Sequence, residues 1–328
     1  MTNNKEETKD RGGYKQISKT LNICAFENYL DTQQALLPKL PNIEQLSRRV
    51  IRILGQNPGN FSLQGTNTYI VGTGAERLII DTGQGIPAWA ELVSSMLTDA
   101  SITLSHVLLT HWHGDHTGGV PDLLRLYPDL STSVYKHTPG KGQQSIVDKE
   151  TFSVEGATIR AVHSPGHSHD HMCFILEEEN AMFTGDNILG HGTTAVEELN
   201  IYMCSLRKMQ GQKCDIGYPA HGVVNTNLSA KIAGELAQKV SREKKILKTL
   251  KGVKAEEVSA GRGKTGSVTV KQLVATMHGE KIDEQVREKA LEPFTEEALG
   301  KLAEDGDVAY EMKGGQKKWF GVEHTVTA

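Results

Sequence analysis

The chain is 328 residues long, room for one large domain and a smaller one at the usual size of about 100 to 200 residues each. A formal net charge of −4 with 23% charged residues gives no overall electrostatic reason to expect a nucleic-acid or membrane partner. Cys24, Cys173, Cys204 and Cys214 are widely spaced with no C-x-x-C pair, which argues against a disulfide frame or a zinc knuckle and leaves scattered thiols.

Met1 to Lys19 is polar and charged, without the apolar stretch of a signal peptide, and no later segment approaches about 18 uninterrupted apolar residues. A soluble, cytoplasmic protein is expected. Ile23 to Leu37 has apolar residues at loosely helical spacing and is stopped by Pro38 and Pro41, so residues 1–47 read as an N-terminal arm. From Arg49 the texture turns β-rich: Val50 to Leu54, Asn67 to Val71 and Arg77 to Ile80 are predicted strands, separated by Gly55, Pro58, Gly59, Gly72 and Gly74. A helix is predicted over Pro87 to Leu97, a strand over Ile102 to Thr110 and a helix over Gly118 to Tyr127. Ser133 to Lys136, Thr158 to Val162, Met172 to Leu176 and Ala181 to Thr184 follow as strands, and Val196 to Gln210 as a helix. The pattern is α/β, with strands and helices intermixed over residues 48–227.

Composition shifts near Leu228. Ala230 to Leu250 is a Lys- and Glu-rich helix, and beyond a glycine-rich linker lie helical stretches at Val270 to Met277 and Glu284 to Glu304. Val308 to Phe320, turning at Gly314-Gly315, reads as a β-hairpin. Three helices and a hairpin over residues 228–328 follow the order of a winged helix, an analogy that does not by itself grant nucleic-acid binding.

The chemistry concentrates in His111-Trp112-His113-Gly114-Asp115-His116, placed after a predicted strand and before Gly118-Gly119. Two imidazoles one residue apart can face one ion, while the Asp and the next His reach a second. Further ligand types arrive at predicted strand ends: His167 in Ser164-Pro165-Gly166-His167, Asp186 after Phe183-Thr184-Gly185, and His221 in Pro219-Ala220-His221-Gly222. His111, His113 and His167 suit one zinc, Asp115, His116 and His221 suit a second, and Asp186 can bridge them. Such a site lowers the pKa of a shared water towards about 7 and polarises a carbonyl, with Asp115 as the candidate proton shuttle. His169 and His171 stand next to the ligand loop without an assigned role, and His106, His137, His163 and His191 read as ordinary structural histidines.

Through THWHGDHTGG, SPGHS, FTGDN and PAHG the chain resembles the metallo-β-lactamase superfamily, which implies an αββα sandwich with a C-terminal winged-helix-like region and two zinc ions per chain. The resemblance also implies a supporting, non-ligating role near the metal loop for Asp81 of Asp81-Thr82-Gly83. QNPGNFSLQGTNTYIVGTG, YKHTPGKGQQ, GSVTVKQLV and GGQKKWF are similar to the fungal thioesterases of this superfamily that act with non-reducing polyketide synthases. That similarity implies hydrolysis of the atrochrysone carboxyl thioester on an acyl carrier protein domain, in a pathway towards anthraquinone-type pigments. An endoribonuclease branch shares the NTYxVG and THWH motifs, and Arg242-Glu243-Lys244-Lys245 and Lys317-Lys318 are the basic strings that fit it. A non-catalytic binding protein on a decayed scaffold predicts lost ligands, and all seven are present.

Overall fold

The computed structural model describes residues 37–261 and 265–323; the helix expected over Ile23 to Leu37 lies outside them but for its last residue. These residues fall into two compact units, 37–231 and 232–323.

The first unit holds two sheets. One has seven strands in the order β1 (Ile43–Gln45), β2 (Val50–Leu54), β3 (Asn67–Val71), β4 (Glu76–Ile80), β5 (Thr103–Leu108), β6 (Val134–Lys136) and β7 (Gln144–Ser145). Its first four strands pair antiparallel, and β4 to β7 run parallel. A parallel pair needs a crossover, supplied by α1 (Pro87–Asp99) between β4 and β5 and by α2 (Gly114–Thr117) with α3 (Val120–Leu126) between β5 and β6. The second sheet has the order β12 (Ile216–Pro219), β11 (Ala181–Gly185), β10 (Met172–Leu176), β9 (Ala157–His163) and β8 (Thr151–Val154).

Side-chain alternation sorts the core into layers. Val50, Tyr69, Val71, Leu78, Ile80 and Leu108 of the first sheet pack with Phe152, Ile159, Met172, Phe174 and Phe183 of the second. The opposite face of the first sheet, Ile51, Ile53, Ile70, Ile79 and Val107, packs on Trp89, Val93 and Leu97 of α1 and Leu123 of α3. On the second sheet, Cys173 contacts Met209 of α4 (Leu199–Gly211). The layers run helix, sheet, sheet, helix, so inner strands are covered on both faces, and β2, β3, β10 and β11 are buried at every residue.

The second unit takes most of α5 (Leu228–Ser259), α6 (Val270–His278), α7 (Glu284–Val286), α8 (Glu292–Glu304) and the hairpin β13 (Val308–Lys313) and β14 (Gln316–Gly321). Thr269 caps α6 in a reciprocal capping box with Gln272. The helix expected without interruption over Glu284 to Glu304 is broken by a π-turn at Arg287–Leu291. Pro293 follows in the first turn of α8; it has no N–H to donate and its ring crowds the preceding turn, which favours the wider winding there. Likewise the helix expected over Gly118 to Tyr127 begins only at Val120, because Gly118 and Gly119 close the end of α2.

Candidate metal centre

The ligand-type residues sit where strands end. Thr110 to His116 follow β5, Ser164 to His171 join β9 to β10, Asp186 follows β11 and His221 follows β12. All seven side chains put forward by the sequence are brought together and buried, in two groups: His111, His113, His167 and Asp186, and Asp115, His116 and His221. Within each group the ligand atoms lie within 4.8 Å of one another. Asp186 joins the groups. Its Oδ2 is 3.6 Å from His167 Nε2 and 3.5 Å from His116 Nε2, and its Oδ1 is 3.2 Å from His221 Nε2. Asp115 Oδ2 lies 3.3 Å from His221 Nε2 and 3.5 Å from His116 Nε2.

Surrounding groups fix which ring nitrogen faces inward. His167 Nδ1 lies 2.8 Å from the Ala195 carbonyl and donates to it, leaving Nε2 for the cluster. His116 Nδ1 lies 2.9 Å from Asp81 Oδ2, the carboxylate–histidine pair that orients a metal ligand. His111 Nδ1 is 3.0 Å from Thr110 Oγ1, whose hydroxyl donates to Asp81 Oδ2 at 2.9 Å. One carboxylate, Asp81, thus orients His116 directly and His111 through a hydroxyl. It also accepts the Thr110 backbone N–H at 2.8 Å, and its own φ of 58° is an unusual conformation for a side-chain-bearing residue.

The donor set fits cations better than it fits itself. His111 Nε2 and His167 Nε2 stand 2.8 and 3.1 Å from His113 Nδ1, and that nitrogen can give a proton to only one of them. Nitrogens around one tetrahedral ion stand about 3.3 Å apart, close to this spacing. His116 Nε2 and Asp186 Oδ1 are buried and, though oppositely charged atoms lie 3.2 to 3.5 Å away, make no well-aligned hydrogen bond among the described residues. Burial, and then the neighbouring histidines, push His111 well below the usual imidazole range and His113 down to about 3. Burial also opposes charge on His116 and His221, but Asp115 and Asp186 overcome it, holding His116 well above its ordinary value and His221 at about 9. Burial would raise Asp115, and His116 and His221 hold it down at about 2. Where these two histidines take up protons to balance carboxylates, divalent cations can do the same.

His171 enters neither group: it is fully buried and its Nε2 accepts the Asp186 backbone N–H at 3.1 Å. A Cβ on Gly185 (φ +51°) would lie 2.5 Å from that nitrogen, so glycine is required at the end of β11, before Asp186. His169 is exposed beside Glu197, and His163 stacks on His137 with centroids 4.0 Å apart.

Several supporting residues were not foreseen. Lys136 Nζ, buried at the end of β6, pairs at 2.5 Å with Asp170 Oδ2, and Asp170 Oδ1 accepts from Ser168 Oγ at 3.0 Å and from the Trp112 N–H at 3.4 Å. Asn67 donates to the carbonyls of Pro219 and Gly222 on either side of His221, and Asn187 to that of Ser164. Lys136 closes a short strand, where a lysine ordinarily reads as a solvated end, so the sequence carries no signal for its burial; once buried, its ammonium needs a partner. Thr194, 2.9 Å from His167 Nδ1, sits in a coil with no sequence signal at all.

The family model described as the metallo-beta-lactamase superfamily matches residues 62–229. The chain is 68% identical to an atrochrysone carboxyl ACP thioesterase (dmxR1) of Cryptosporiopsis sp., over 95% of this chain and 97% of that protein. It is 67% identical to an atrochrysone carboxyl ACP thioesterase of Aspergillus terreus, over 97% and 99%. Among solved structures, a beta-lactamase domain protein from Burkholderia ambifaria matches with a TM-score of 0.66 and 18% identity, over 87% of this chain and 95% of that one, a likeness of fold alone.

Proposed function

The chain belongs to the metallo-beta-lactamase superfamily, and from that premise we propose that it is a zinc-dependent thioesterase. Its substrate is a polyketide of the atrochrysone carboxyl type, held as a thioester on the acyl carrier protein domain of a non-reducing polyketide synthase. The observation that carries the reading is the pair of His/Asp groups joined through Asp186. We assign one ion to His111, His113 and His167 and the second to Asp115, His116 and His221, with Asp186 between them. The catalytic domain spans 48–227, flanked by the arm 1–47 and the region 228–328, and the enzyme works in the cytoplasm. Among the described residues no helix is long and apolar enough to cross a membrane.

Two zinc ions held by these residues would supply Lewis acidity to the thioester carbonyl and would lower the pKa of water at the site towards about 7. The remaining work falls to the chain. Asp115 is ionised at neutral pH and its Oδ atoms accept the proton of the attacking water. Asp81 and Ala195 hold their histidines in one tautomer, so the nucleophile forms at a fixed place. A simple thiol has a pKa near about 8.5 and leaves with little protonation, so no dedicated strong acid is required.

Relatives named as thioesterases favour this reading over the endoribonuclease. A decayed scaffold is disfavoured because all seven ligand-type residues still converge. The direct test is incubation with acyl-loaded carrier domain, followed by mass spectrometry for released acid. Release of acid at a rate above that of the carrier alone is expected; an unchanged acyl carrier with the metal-replete protein would overturn the reading.

A further inference from the structure

His171 stands among the ligand-type residues without belonging to either group. It closes the loop between β9 and β10 that carries His167, its carbonyl accepting the Ser164 N–H at 2.9 Å. Centroid to centroid, its ring lies 5.1 Å from that of His111 and 5.9 Å from that of His167. Its Nε2 accepts the Asp186 N–H at 3.1 Å. One buried imidazole thus borders ligand-type residues delivered by the ends of β5, β9 and β11, and all three belong to the first group.

A ring nitrogen that accepts an amide N–H carries no proton, so His171 is the neutral ring with its hydrogen on Nδ1. That Nδ1 is buried with no hydrogen-bond partner among the described residues. Leaving a buried donor unpaired costs free energy, and a leucine would fill the same space without that cost. Packing alone therefore does not account for an imidazole here; the bond made by Nε2 does. Asp186 lies one residue past β11, beyond a left-handed Gly185 (φ 51°), and its N–H is bonded to this ring and not to a neighbouring strand. Its carboxylate is the one that reaches both groups, so whatever fixes its main chain fixes the link between them.

We propose that His171 is a positioning residue of the metal centre: its unprotonated Nε2 holds the Asp186 main chain, and through it the linking carboxylate, against His111 and His167. The inference rests on the two-ion reading of the site and adds to it the residue that keeps the first ion's ligands in place. Asp81 does this for His116 and His111 by accepting from a ring and a hydroxyl; His171 does it for Asp186 by accepting from the backbone. The second group takes its other ligands from the ends of β5 and β12, which His171 does not border, so its ion depends on this ring far less.

The test titrates metal-free wild type, His171→Leu and His171→Gln with zinc by calorimetry and with cobalt(II) by visible absorption. Leucine has similar bulk and no acceptor, whereas glutamine brings an amide oxygen to roughly the place of Nε2. His171→Leu is expected to weaken one of the two ions about 10- to 100-fold and leave the other within about threefold, with His171→Gln recovering most of the loss. In a His113→Ala background, which already lacks a ligand of the first group, adding His171→Leu should leave the affinity of the remaining ion unchanged. A second measurement needs no variant: long-range proton–nitrogen correlation spectra of the wild type should place the His171 proton on Nδ1 and none on Nε2. A proton on Nε2, equal weakening of both ions, unchanged affinity in His171→Leu, or a folded His171→Gln no better than His171→Leu would each overturn the proposal. If wild type binds no divalent ion, the two-ion reading fails instead, and the spectra still decide whether His171 holds the Asp186 main chain.

Discussion

Asp115 and His163 separate a chemical role from mere proximity to the loop. Asp115 is the one carboxylate of the HWHGDH string, and Asp115→Asn keeps the side-chain volume but cannot accept a proton and ligates more weakly. A loss of about 100-fold or more in kcat with the fold retained is expected, read by steady-state turnover beside circular dichroism. His111→Ala should be at least as damaging. His163→Ala should stay within about several-fold of wild type, because its ring stacks on His137 and belongs to neither ligand group. A collapse there equal to that of His167→Ala would mean that the wrong histidine was chosen. Asp81→Ala tests the support: losing the group that orients both His116 and His111 is expected to cost about 10- to 100-fold in metal affinity, measured by competition with a chelating dye. The ligand types were legible because metal chemistry restricts them to His and Asp at strand ends. Asp170 and Thr194 were not, since a hydrogen bond to a backbone N–H or an imidazole can come from many residue types at any sequence distance.

Buried elements were easier to read than exposed ones. β2, β3, β10 and β11 are covered on both faces, so they stand out as continuous apolar runs. The edge strands Ile43–Gln45 and Gln144–Ser145 are short and largely exposed and carry no such run. The helix read as starting at Val196 starts at Leu199, because the preceding residues serve another purpose: Thr194 and Ala195 face His167 and the Glu197 and Glu198 N–H groups bond to the Gly166 carbonyl. The end of β6 offers the sharpest test at this scale. Lys136 and Asp170 are both buried, at 7% and 0% exposure, so Lys136→Met leaves a carboxylate without its cation inside the fold. A loss of about 3–5 kcal/mol in unfolding free energy is expected by denaturant titration. Lys136→Met with Asp170→Leu should recover a large part of it; if the double variant is as unstable as the single one, the cost does not come from an unpaired Asp170 charge but from packing or from the Ser168 and Trp112 hydrogen bonds that Asp170 accepts.

Ligands delivered by loops far apart in sequence make the metal part of the folded state of the whole catalytic unit. The first group draws on the ends of β5, β9 and β11, and the second on the ends of β5 and β12. Without cations, buried carboxylates and imidazoles have only protons and one another to satisfy them. Ions that bind the native chain and not the unfolded one stabilise it by about 2.7 kcal/mol at a free concentration 100 times the dissociation constant. For a unit of this size that corresponds to a Tm higher by about 5–10 °C per strongly held ion. Elemental analysis of protein purified in metal-replete buffer is expected to find close to two zinc ions per chain. Chelation should lower Tm by at least that amount and abolish thioester hydrolysis, and returning zinc should restore both. Full activity with a stoichiometry near zero would remove the metal from the mechanism. A chelated protein with unchanged Tm would show that protons on His116 and His221 balance Asp115 and Asp186 as well as metal does, leaving the ions to act on the reaction alone.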